Sequence, residues 1–180
     1  MNFDCLYGDY CERVSTLGVK RTENALVASI KDQLIVRFHN GKSVKDYPMS
    51  SSKRPPSCKE NSLGTPDGLH EVCEKIGDGE PLGMVFKGRK PIGLKYEECS
   101  EEEREKNLIT TRILRLQGLE DGLNKGEGID TYDRYVYIHG TNHEENLGSP
   151  ASSGCLQVSN AEAVELHDEI PLGSHLYIKL

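Results

Sequence analysis

Alternating apolar and polar segments predict short strands in the first third of the chain. Apolar runs over residues 25–30 and 33–38 are followed by Asn40-Gly41. Both of these residues tolerate positive φ, so the pair is a strong signal for a type I′ hairpin turn. Residues 43–47 would then return antiparallel to the second run. This pattern predicts a β-meander.

The second half of the chain carries further strand and helix patterns. Residues 108–116 and 135–138 are rich in β-branched, aromatic and other apolar side chains, which is typical of strands. Ser159 and Glu162 have the spacing of a capping box, and the apolar positions that follow recur at i, i+3, i+4 and i+7, as in an amphipathic helix. Residues 175–179 are predicted to form a final strand. We therefore expect a mainly β fold with one or two short helices.

Segments of loop-forming composition separate these elements. Residues 48–65 are rich in Ser, Pro, Lys and Gly, and Thr-Pro-Asp-Gly at 65–68 has turn chemistry. Glycine and proline recur from residue 77, so residues 77–117 are interpreted as a possible loop elaboration containing short strands. Residues 1–24 are interpreted as an N-terminal extension. No repeat or linker divides the chain, and residues 1–180 are predicted to form a single domain.

Composition excludes several classes of function. The 180 residues are 36% hydrophobic and 28% charged, with a net charge of −7, which argues against nucleic acid as a partner. No stretch approaches the roughly 20 apolar residues that a membrane-spanning helix requires, so no integral membrane segment is expected. The first residues show neither a basic start nor an apolar run. No secretory signal is visible, which indicates a cytoplasmic protein or a mature or truncated form.

The six cysteines do not form a metal-binding pattern. None belongs to a C-x-x-C pair, and no other cluster has the spacing of metal ligands, so neither a metal nor a cofactor is predicted. Cys5 and Cys11 are candidates for a small disulfide loop in an oxidising compartment. The sixth cysteine differs from the others because of its neighbours. The cysteines are Cys5, Cys11, Cys58, Cys73, Cys99 and Cys155.

A candidate nucleophile and base lie in the last third of the chain. His139 follows the strand predicted over residues 135–138, and Gly154 directly precedes Cys155. A nucleophilic thiol needs a base, donors for an oxyanion, and access to substrate. Glycine leaves no Cβ beside the thiol, so a carbonyl group can approach the backbone there. The N–H groups of Gly154 and Cys155 are the natural oxyanion donors.

Pairing would change the ionisation of the thiol. A free cysteine has a pKa near 8.5, so only a few per cent of it is thiolate at neutral pH. If a neighbouring imidazolium lowered the pKa of Cys155 to about 6, roughly nine molecules in ten would carry the thiolate. This reasoning predicts an ionised pair of Cys155 and His139.

The residues around this pair resemble the catalytic signature of the L,D-transpeptidases. Tyr-Ile-His-Gly-Thr-Asn at 137–142 is followed by Ser-Ser-Gly-Cys-Leu-Gln-Val-Ser-Asn at 152–160. The signature is a His-Gly, a loop, and a Ser-x-Gly-Cys that leads to an Asn opening a helix. The segment over residues 33–47 and the Thr-Pro-Asp-Gly turn also resemble family features. The resemblance therefore covers most of the chain.

The resemblance implies a β-sandwich of mixed sheets that acts on tetrapeptide stems of peptidoglycan without a cofactor. Cys155 would form a thioester and His139 would act as general base and acid. The backbone carbonyl of Gly140 would orient the imidazole, and the Gly154 N–H would bind the oxyanion. The thioester would be resolved by an amine, forming a cross-link, or by water, trimming the terminal D-Ala. A monomer in the periplasm or cell wall is expected.

Residues flanking the pair are expected to contact substrate, and two of them depart from the family pattern. The family usually has Arg at the position of Gln157, and Gln offers a neutral amide instead of a charged fork of donors. Weaker recognition of an anionic stem terminus, or preference for an amidated stem, is therefore predicted. The family often has His at the position of Ser153. The expected substrate contacts are Tyr137, Thr141, Asn142, Ser153 and Gln157.

Two alternatives stay open. The first is a catalytically impaired module that binds peptidoglycan, with Gln157 marking lost activity. The presence of both His139 and Cys155 argues against it, because binding alone needs neither a thiol nor its base. The second is a different cysteine amidase or protease.

Overall fold

The structure, a computed structural model, describes residues 3–180. The helices are α1 (Phe3–Thr16), α2 (Glu101–Arg104) and α3 (Asn160–Glu169), with 3₁₀ turns at Tyr96–Glu98 and Glu144–Asn146. The strands are β1 (Asn24–Ser29), β2 (Leu34–His39), β3 (Lys42–Pro48), β4 (Gly68–Ile76), β5 (Met84–Lys87), β6 (Lys90–Lys95), β7 (Ile109–Gly118), β8 (Tyr137–Gly140), β9 (Leu156–Val158) and β10 (His175–Lys179). The mainly β class predicted from the sequence is confirmed.

The strands form one continuous mixed sheet. Its main path runs β3-β2-β1-β10-β4-β7-β5-β6, and β8 branches from β7 and carries β9. Two neighbouring pairs are parallel, β1 with β10 and β8 with β9, and the others are antiparallel. The predicted hairpin between β2 and β3 is present, with Asn40 at φ 49° and Gly41 at φ 79°.

The largest hydrophobic core lies between the sheet and the layer formed by β8, β9 and α3. It joins inward-facing side chains from most strands to the apolar side of α3. The capping box of α3 is formed as predicted, because Ser159 Oγ accepts from the Glu162 N–H and the Glu162 carboxylate accepts from the Ser159 N–H. The helix begins directly after β9 and therefore fixes where that short strand ends.

A helix covers the opposite face of the sheet, where only an extension was expected. Leu6, Tyr10 and Val14 of α1 are buried against β1, β2 and β4. Their spacing of four residues is a helical signal that the sequence interpretation missed. The Tyr10 hydroxyl is hydrogen bonded to His175 Nδ1 at 3.0 Å, which ties the helix to β10.

The segment over residues 77–117 is mostly regular structure, in contrast to the expected loop elaboration. It contains the β5–β6 hairpin, α2 and most of β7, which pairs with β4, β5 and β8. Met84, Phe86 and Ile113 form a small core with Tyr137, and Cys155 packs against it. The hairpin therefore supports one side of the candidate nucleophile.

The six cysteines are free thiols in this structure. Cys5 and Cys11 both lie on α1, six residues apart, so their side chains leave the helix in different directions. A disulfide between them would require this helix to unwind, and the suggested disulfide loop is therefore not formed. No helix in residues 3–180 is long and apolar enough to span a membrane.

His70 is enclosed in the protein and neutral at physiological pH. Its ring nitrogens are hydrogen bonded to the Gly68 carbonyl and the Thr131 hydroxyl, each at 3.0 Å. Burial lowers the pKa of His70 to about 4, since the charged ring would lose its hydration. Burial likewise lowers the pKa of His139 to about 4. The charged form of each ring is therefore more favourable in the unfolded chain.

The lowered pKa values of His70 and His139 predict that the protein is less stable in mild acid. Below pH 6.5 the unfolded chain binds protons that the folded protein excludes, so the free energy of unfolding falls as the pH falls toward 4. Between pH 7 and pH 5 each ring contributes a loss of about 2 kcal/mol. Urea unfolding at both pH values measures it. The His70→Gln variant should show a smaller loss, and equal stability of the parent protein at pH 7 and pH 5 would contradict the assignment.

Candidate active site

The parallel pairing of β8 with β9 brings the two predicted catalytic residues together. His139 is in register with Gln157, and Cys155 lies two residues earlier beside the same strand. Because side chains alternate along a strand, Tyr137, His139, Cys155 and Gln157 share one face. The alternate residues, such as Ile138, lie in the main core. Cys155 and His139 are thus diagonal neighbours, with Cα atoms roughly 8 Å apart by strand geometry.

The imidazole of His139 is held in one tautomer. Its Nδ1 lies 2.7 Å from the carbonyl oxygen of Gly140. A carbonyl oxygen only accepts hydrogen bonds, so Nδ1 carries the proton and Nε2 keeps its lone pair. His139 is 3% exposed, and none of the hydrogen bonds in residues 3–180 engages its Nε2. The ring therefore presents a base on the face that it shares with Cys155.

The backbone around Gly140 is packed too closely for a larger residue. A Cβ at Gly140 would lie 2.8 Å from Asn160 Oδ1 and 2.9 Å from the Thr110 carbonyl oxygen. Asn160 Oδ1 accepts from the hydroxyls of Thr110 and Thr111, and its Nδ2 donates to the Thr141 carbonyl at 2.8 Å. The first residue of α3 therefore fixes the end of β8 and, through it, the position of the ring.

The loop before β9 is fixed by Ser152. Its hydroxyl donates to the Cys155 carbonyl at 2.6 Å and accepts from the Gly154 N–H at 3.2 Å. Gly154 has φ +128°, a conformation that residues with a Cβ rarely adopt. The predicted oxyanion donor at Gly154 is thus already hydrogen bonded to Ser152, and an oxyanion would have to share or replace that bond.

The thiol and the ring are both neutral, in contrast to the predicted ion pair. Cys155 Sγ donates to the Tyr135 carbonyl at 3.6 Å, and no hydrogen bond in the described chain joins it to the ring. Burial raises the pKa of Cys155 to about 11, which backbone hydrogen bonding and the charge of Arg134 only partly oppose. Burial lowers the pKa of His139 to about 4. Desolvation disfavours both charged forms, and without a direct contact no attraction compensates.

A cavity of about 220 Å³ opens beside the thiol. Three chain segments line it: the Cys155 loop, the residues that lead into β8, and the loop over residues 57–64. The lining residues are Glu60, Asn61, Leu63, Asp133, Arg134, Tyr135, Val136, Ser153, Gly154 and Cys155. A substrate carbonyl in this cavity would have direct access to the sulfur. Residues 3–180 contain no group of three or more His, Cys, Asp or Glu side chains placed to hold a metal ion.

The family model of the YkuD L,D-transpeptidase catalytic domain matches residues 23–178. The chain belongs to this family. Its relatives include a protein of Bacillus subtilis strain 168 named "Putative L,D-transpeptidase YqjB", which is 44% identical over 48 residues, or 27% of each chain. The matched residues include β8, which carries His139, and β9 with Cys155 directly before it.

Solved structures of L,D-transpeptidases share the fold of this family member. One from Mycobacterium smegmatis is 18% identical, with a TM-score of 0.52 and coverage of 88% of this chain and 59% of that one. L,D-transpeptidase 3 from Mycobacterium tuberculosis is 14% identical, with a TM-score of 0.55 and coverage of 88% and 61%. The chain thus spans about three-fifths of the length of these structures, and the likeness shows the fold alone.

Of the five substrate contacts expected for this L,D-transpeptidase-family domain, two lie next to Cys155 and three do not. Ser153 is exposed and lines the cavity, and Tyr137 is 3% exposed and packs against Cys155. Gln157 is 2% exposed and does not line the cavity, and its side-chain amide makes no hydrogen bond within residues 3–180. Its interaction with a stem peptide stays a prediction.

Thr141 and Asn142 differ from the expectation of substrate contact. Thr141 is fully buried, and its hydroxyl accepts from the His143 N–H at 3.1 Å. The Asn142 amide accepts from the Leu108 N–H at 2.9 Å and donates to the Arg104 carbonyl at 2.7 Å. Both side chains therefore hold the turn after β8, and neither lines the cavity.

Two residues of the site escaped the sequence interpretation. Arg134 and Tyr135 precede β8, line the cavity, and supply a charge and a carbonyl beside the thiol. A lone basic residue before a strand is a weak signal. The role of Arg134 depends on contacts with a loop that lies 70 or more residues earlier in the chain.

Substitution of Gly140 by Ala should displace the base. The new Cβ would meet a buried amide and a backbone carbonyl, so we expect a destabilisation of about 1–3 kcal/mol and slower acylation of Cys155. Chemical unfolding and single-turnover mass spectrometry measure the two effects. Gly8→Ala is the matched control, because a Cβ there meets nothing within 4 Å and should stabilise α1 slightly. Unchanged stability and acylation for Gly140→Ala would refute this packing argument.

The neutral state of the thiol predicts its response to pH. With a pKa of about 11, the rate of alkylation of Cys155 by iodoacetamide should rise about tenfold per pH unit from pH 7 to pH 9, in proportion to the thiolate. Peptide mass mapping separates Cys155 from the other cysteines, and Cys58, whose pKa is also raised to about 11, is an internal comparison. A rate that is already constant at pH 7 would instead indicate an ion pair with His139.

Proposed function

We propose that this chain is a cysteine L,D-transpeptidase that acts on tetrapeptide stems of peptidoglycan. The observation that carries the proposal is the placement of His139 and Cys155 on one face of the β8–β9 pair, beside a cavity that Cys155 lines. Membership of the family supports the choice of substrate. No cofactor is required by the chemistry below.

The first half-reaction forms a thioester. The substrate carbonyl between the L-centre of the diamino acid and the terminal D-Ala enters the cavity. Rotation about the Cα–Cβ bond of Cys155 moves the thiol from the Tyr135 carbonyl toward His139, whose Nε2 takes the proton as sulfur attacks the carbonyl carbon. The tetrahedral intermediate then collapses: the C–N bond breaks, the imidazolium returns the proton to the leaving amine, and D-Ala departs.

The second half-reaction regenerates the thiol. An amine of a second stem attacks the thioester carbonyl, His139 accepts its proton, and the sulfur leaves and is reprotonated. The product is a cross-link. With water as nucleophile the same steps give a trimmed tripeptide stem, which is L,D-carboxypeptidase activity. Both outcomes use the same residues.

The neutral resting pair suits general base catalysis. Because the pKa of His139 is about 4, the ring is unprotonated over the whole physiological range and ready to accept the thiol proton. Substrate brings the carbonyl that becomes the oxyanion, and the backbone N–H groups of Gly154 and Cys155 are the proposed donors to it. The imidazolium and the negative charge on the substrate oxygen then form only while substrate is bound.

The remaining expectations follow from this proposal. Peptidoglycan lies outside the cytoplasm, so the protein would act in the periplasm or cell wall, and a monomer suffices because one chain supplies the whole site. A binding module without activity is the second candidate in another class. The ordered tautomer of His139 favours an enzyme, since binding alone has no use for it. A different cysteine amidase would share the thioester but not the substrate.

Acylation of Cys155 tests the proposal directly. Incubation of the protein with a tetrapeptide stem or a carbapenem should give a single covalent adduct in intact-protein mass spectra, located on the peptide that contains Cys155. With the tetrapeptide, release of D-Ala should accompany the adduct. The Cys155→Ala variant should give neither, and Cys73→Ala, which removes another half-buried thiol, should behave as the parent does.

The outcomes separate the candidates. Acylation by the carbapenem but not by any stem peptide would favour a different cysteine amidase. Binding of the stem without an adduct would favour the impaired module. An adduct that persists in Cys155→Ala would refute the assigned nucleophile.

A further inference from the structure

Arg134 presents a fixed positive charge at the wall of the cavity. Its guanidinium donates to the carbonyl oxygens of Ser57 at 3.0 Å and Gly64 at 2.7 Å, and to the Ser62 hydroxyl at 3.3 Å. It lines the same cavity as Cys155. A long side chain with three such bonds has lost most of its freedom, so the position of the charge is built into the fold.

The loop that holds Arg134 is itself held in an unusual conformation. Asn61 and Leu63 have φ of 60° and 57°, which non-glycine residues adopt infrequently. A Cβ at Gly64 would lie 2.4 Å from the Pro55 carbonyl oxygen, so only glycine fits there. The Ser52 hydroxyl donates to the Leu63 carbonyl at 2.6 Å. These features orient the carbonyl of Gly64 toward Arg134.

Arg134 keeps its charge without an ion pair, and the Glu60 carboxylate acts on it only from beyond ion-pair distance. Within residues 3–180 no carboxylate lies at ion-pair distance from it, whereas Arg13, Arg37 and Arg115 each form an ion pair with a glutamate. The three acceptors of Arg134 are neutral. The group is half-buried, and burial lowers its pKa, so an anionic ligand would recover energy that the folded protein leaves unsatisfied.

Two carboxylates share the cavity and need to be considered. Glu60 and Asp133 also line it, but both residues are exposed, so water screens their charge. They would disfavour an anion beside them. The half-buried Arg134, whose charge acts on Cys155, is therefore the most favourable position for a negative group in this cavity.

We propose that Arg134 binds the free terminal carboxylate of the donor stem and thereby determines its specificity. The inference rests on the proposed function and names the part of the substrate that this site recognises. In a stem ending in D-Ala the terminal carboxylate is three bonds from the scissile carbonyl carbon, so the group that binds it must lie beside the nucleophile. Arg134 meets this condition, and its planar fork matches a carboxylate.

This assignment and the sequence-based expectation for Gln157 make opposite predictions. An amide at position 157, taken alone, predicts weaker recognition of an anionic stem terminus or preference for an amidated stem. Arg134 predicts preference for the free acid. Gln157 is buried away from the cavity, while Arg134 lines it, and the position of the charge therefore favours the free acid.

Acylation rates on two matched peptides test the inference. One tetrapeptide stem ends in D-alanine and the other in D-alanine amide, and the rate of D-Ala or D-alanine amide release is measured under single turnover. The parent protein should prefer the free acid by about tenfold or more, a ratio that corresponds to about 1.4 kcal/mol. Arg134→Gln should reduce the ratio to near one by slowing only the free acid, and Arg134→Lys should keep part of the preference.

Arg89 supplies the matched control. Its side chain also lies close to the site, over the ring of Tyr135 and within 3.3 Å of the Tyr137 hydroxyl, but it does not line the cavity. Arg89→Gln should retain the free-acid preference. Equal rates for both peptides in the parent protein, or loss of the preference in Arg89→Gln but not in Arg134→Gln, would overturn the inference.

A binding measurement separates this inference from the proposed function. Calorimetric titration of both peptides into Cys155→Ala needs no chemistry, and the free acid should bind about tenfold more tightly, a difference that Arg134→Gln in the same background abolishes. If the parent protein releases no D-Ala but Cys155→Ala still binds the free acid more tightly, the transpeptidase is refuted and the inference on Arg134 stands. If Cys155→Ala binds both peptides equally, the inference is refuted. Because Arg134 anchors a loop, Arg134→Lys in the same background is the second variant if Arg134→Gln unfolds: it keeps a charge but not the planar fork, and it should bind the free acid less tightly than Cys155→Ala alone does.

Discussion

The parallel pairing of β8 with β9 is the constraint on which the site depends. Two short strands set His139 and Cys155 on one face at a separation that strand geometry fixes, while Ile138 and Leu156 on the other face enter the main core. Burial of the second face holds the first in place, since a slip of one residue would turn the catalytic pair inward. The caps of α3 and the packing of Asn160 below Gly140 then lock the ends of both strands.

Burial gives the site its order and also determines its resting charge. The enclosure that orders His139 removes water from the ring and from the neighbouring sulfur, so their pKa values move apart and both groups stay neutral. In the mechanism that we propose, this thiol becomes a nucleophile only when substrate is bound. The charge of Arg134, which lines the same cavity, is held by neutral acceptors, and we propose that it binds a ligand.

The sequence predicted those parts of the fold that short-range chemistry decides. The hairpin turn at Asn40, the capping box of α3 and the apolar run of β8 each depend on a few consecutive residues, and each was found. Helix α1 was missed although Leu6, Tyr10 and Val14 carry its period, because a single apolar stripe on a polar segment gains its stability only from the sheet it covers. The central place of β7 escaped notice for the same reason, as its partners come from distant segments.

By itself the sequence indicated the family to which the chain belongs, and it predicted His139, Cys155 and the glycines beside them as the site. Only the tertiary structure decided the protonation state of the two residues and which flanking residues face the cavity. It also decided that the charge of Arg134 lies at the cavity wall. Asn142 holds the turn after β8 because its partners lie elsewhere in the chain, and Arg134 lines the cavity because the loop over residues 57–64 holds it there. Desolvation and nonlocal hydrogen bonding depend on what surrounds a group in space, and neighbours in sequence do not specify those surroundings.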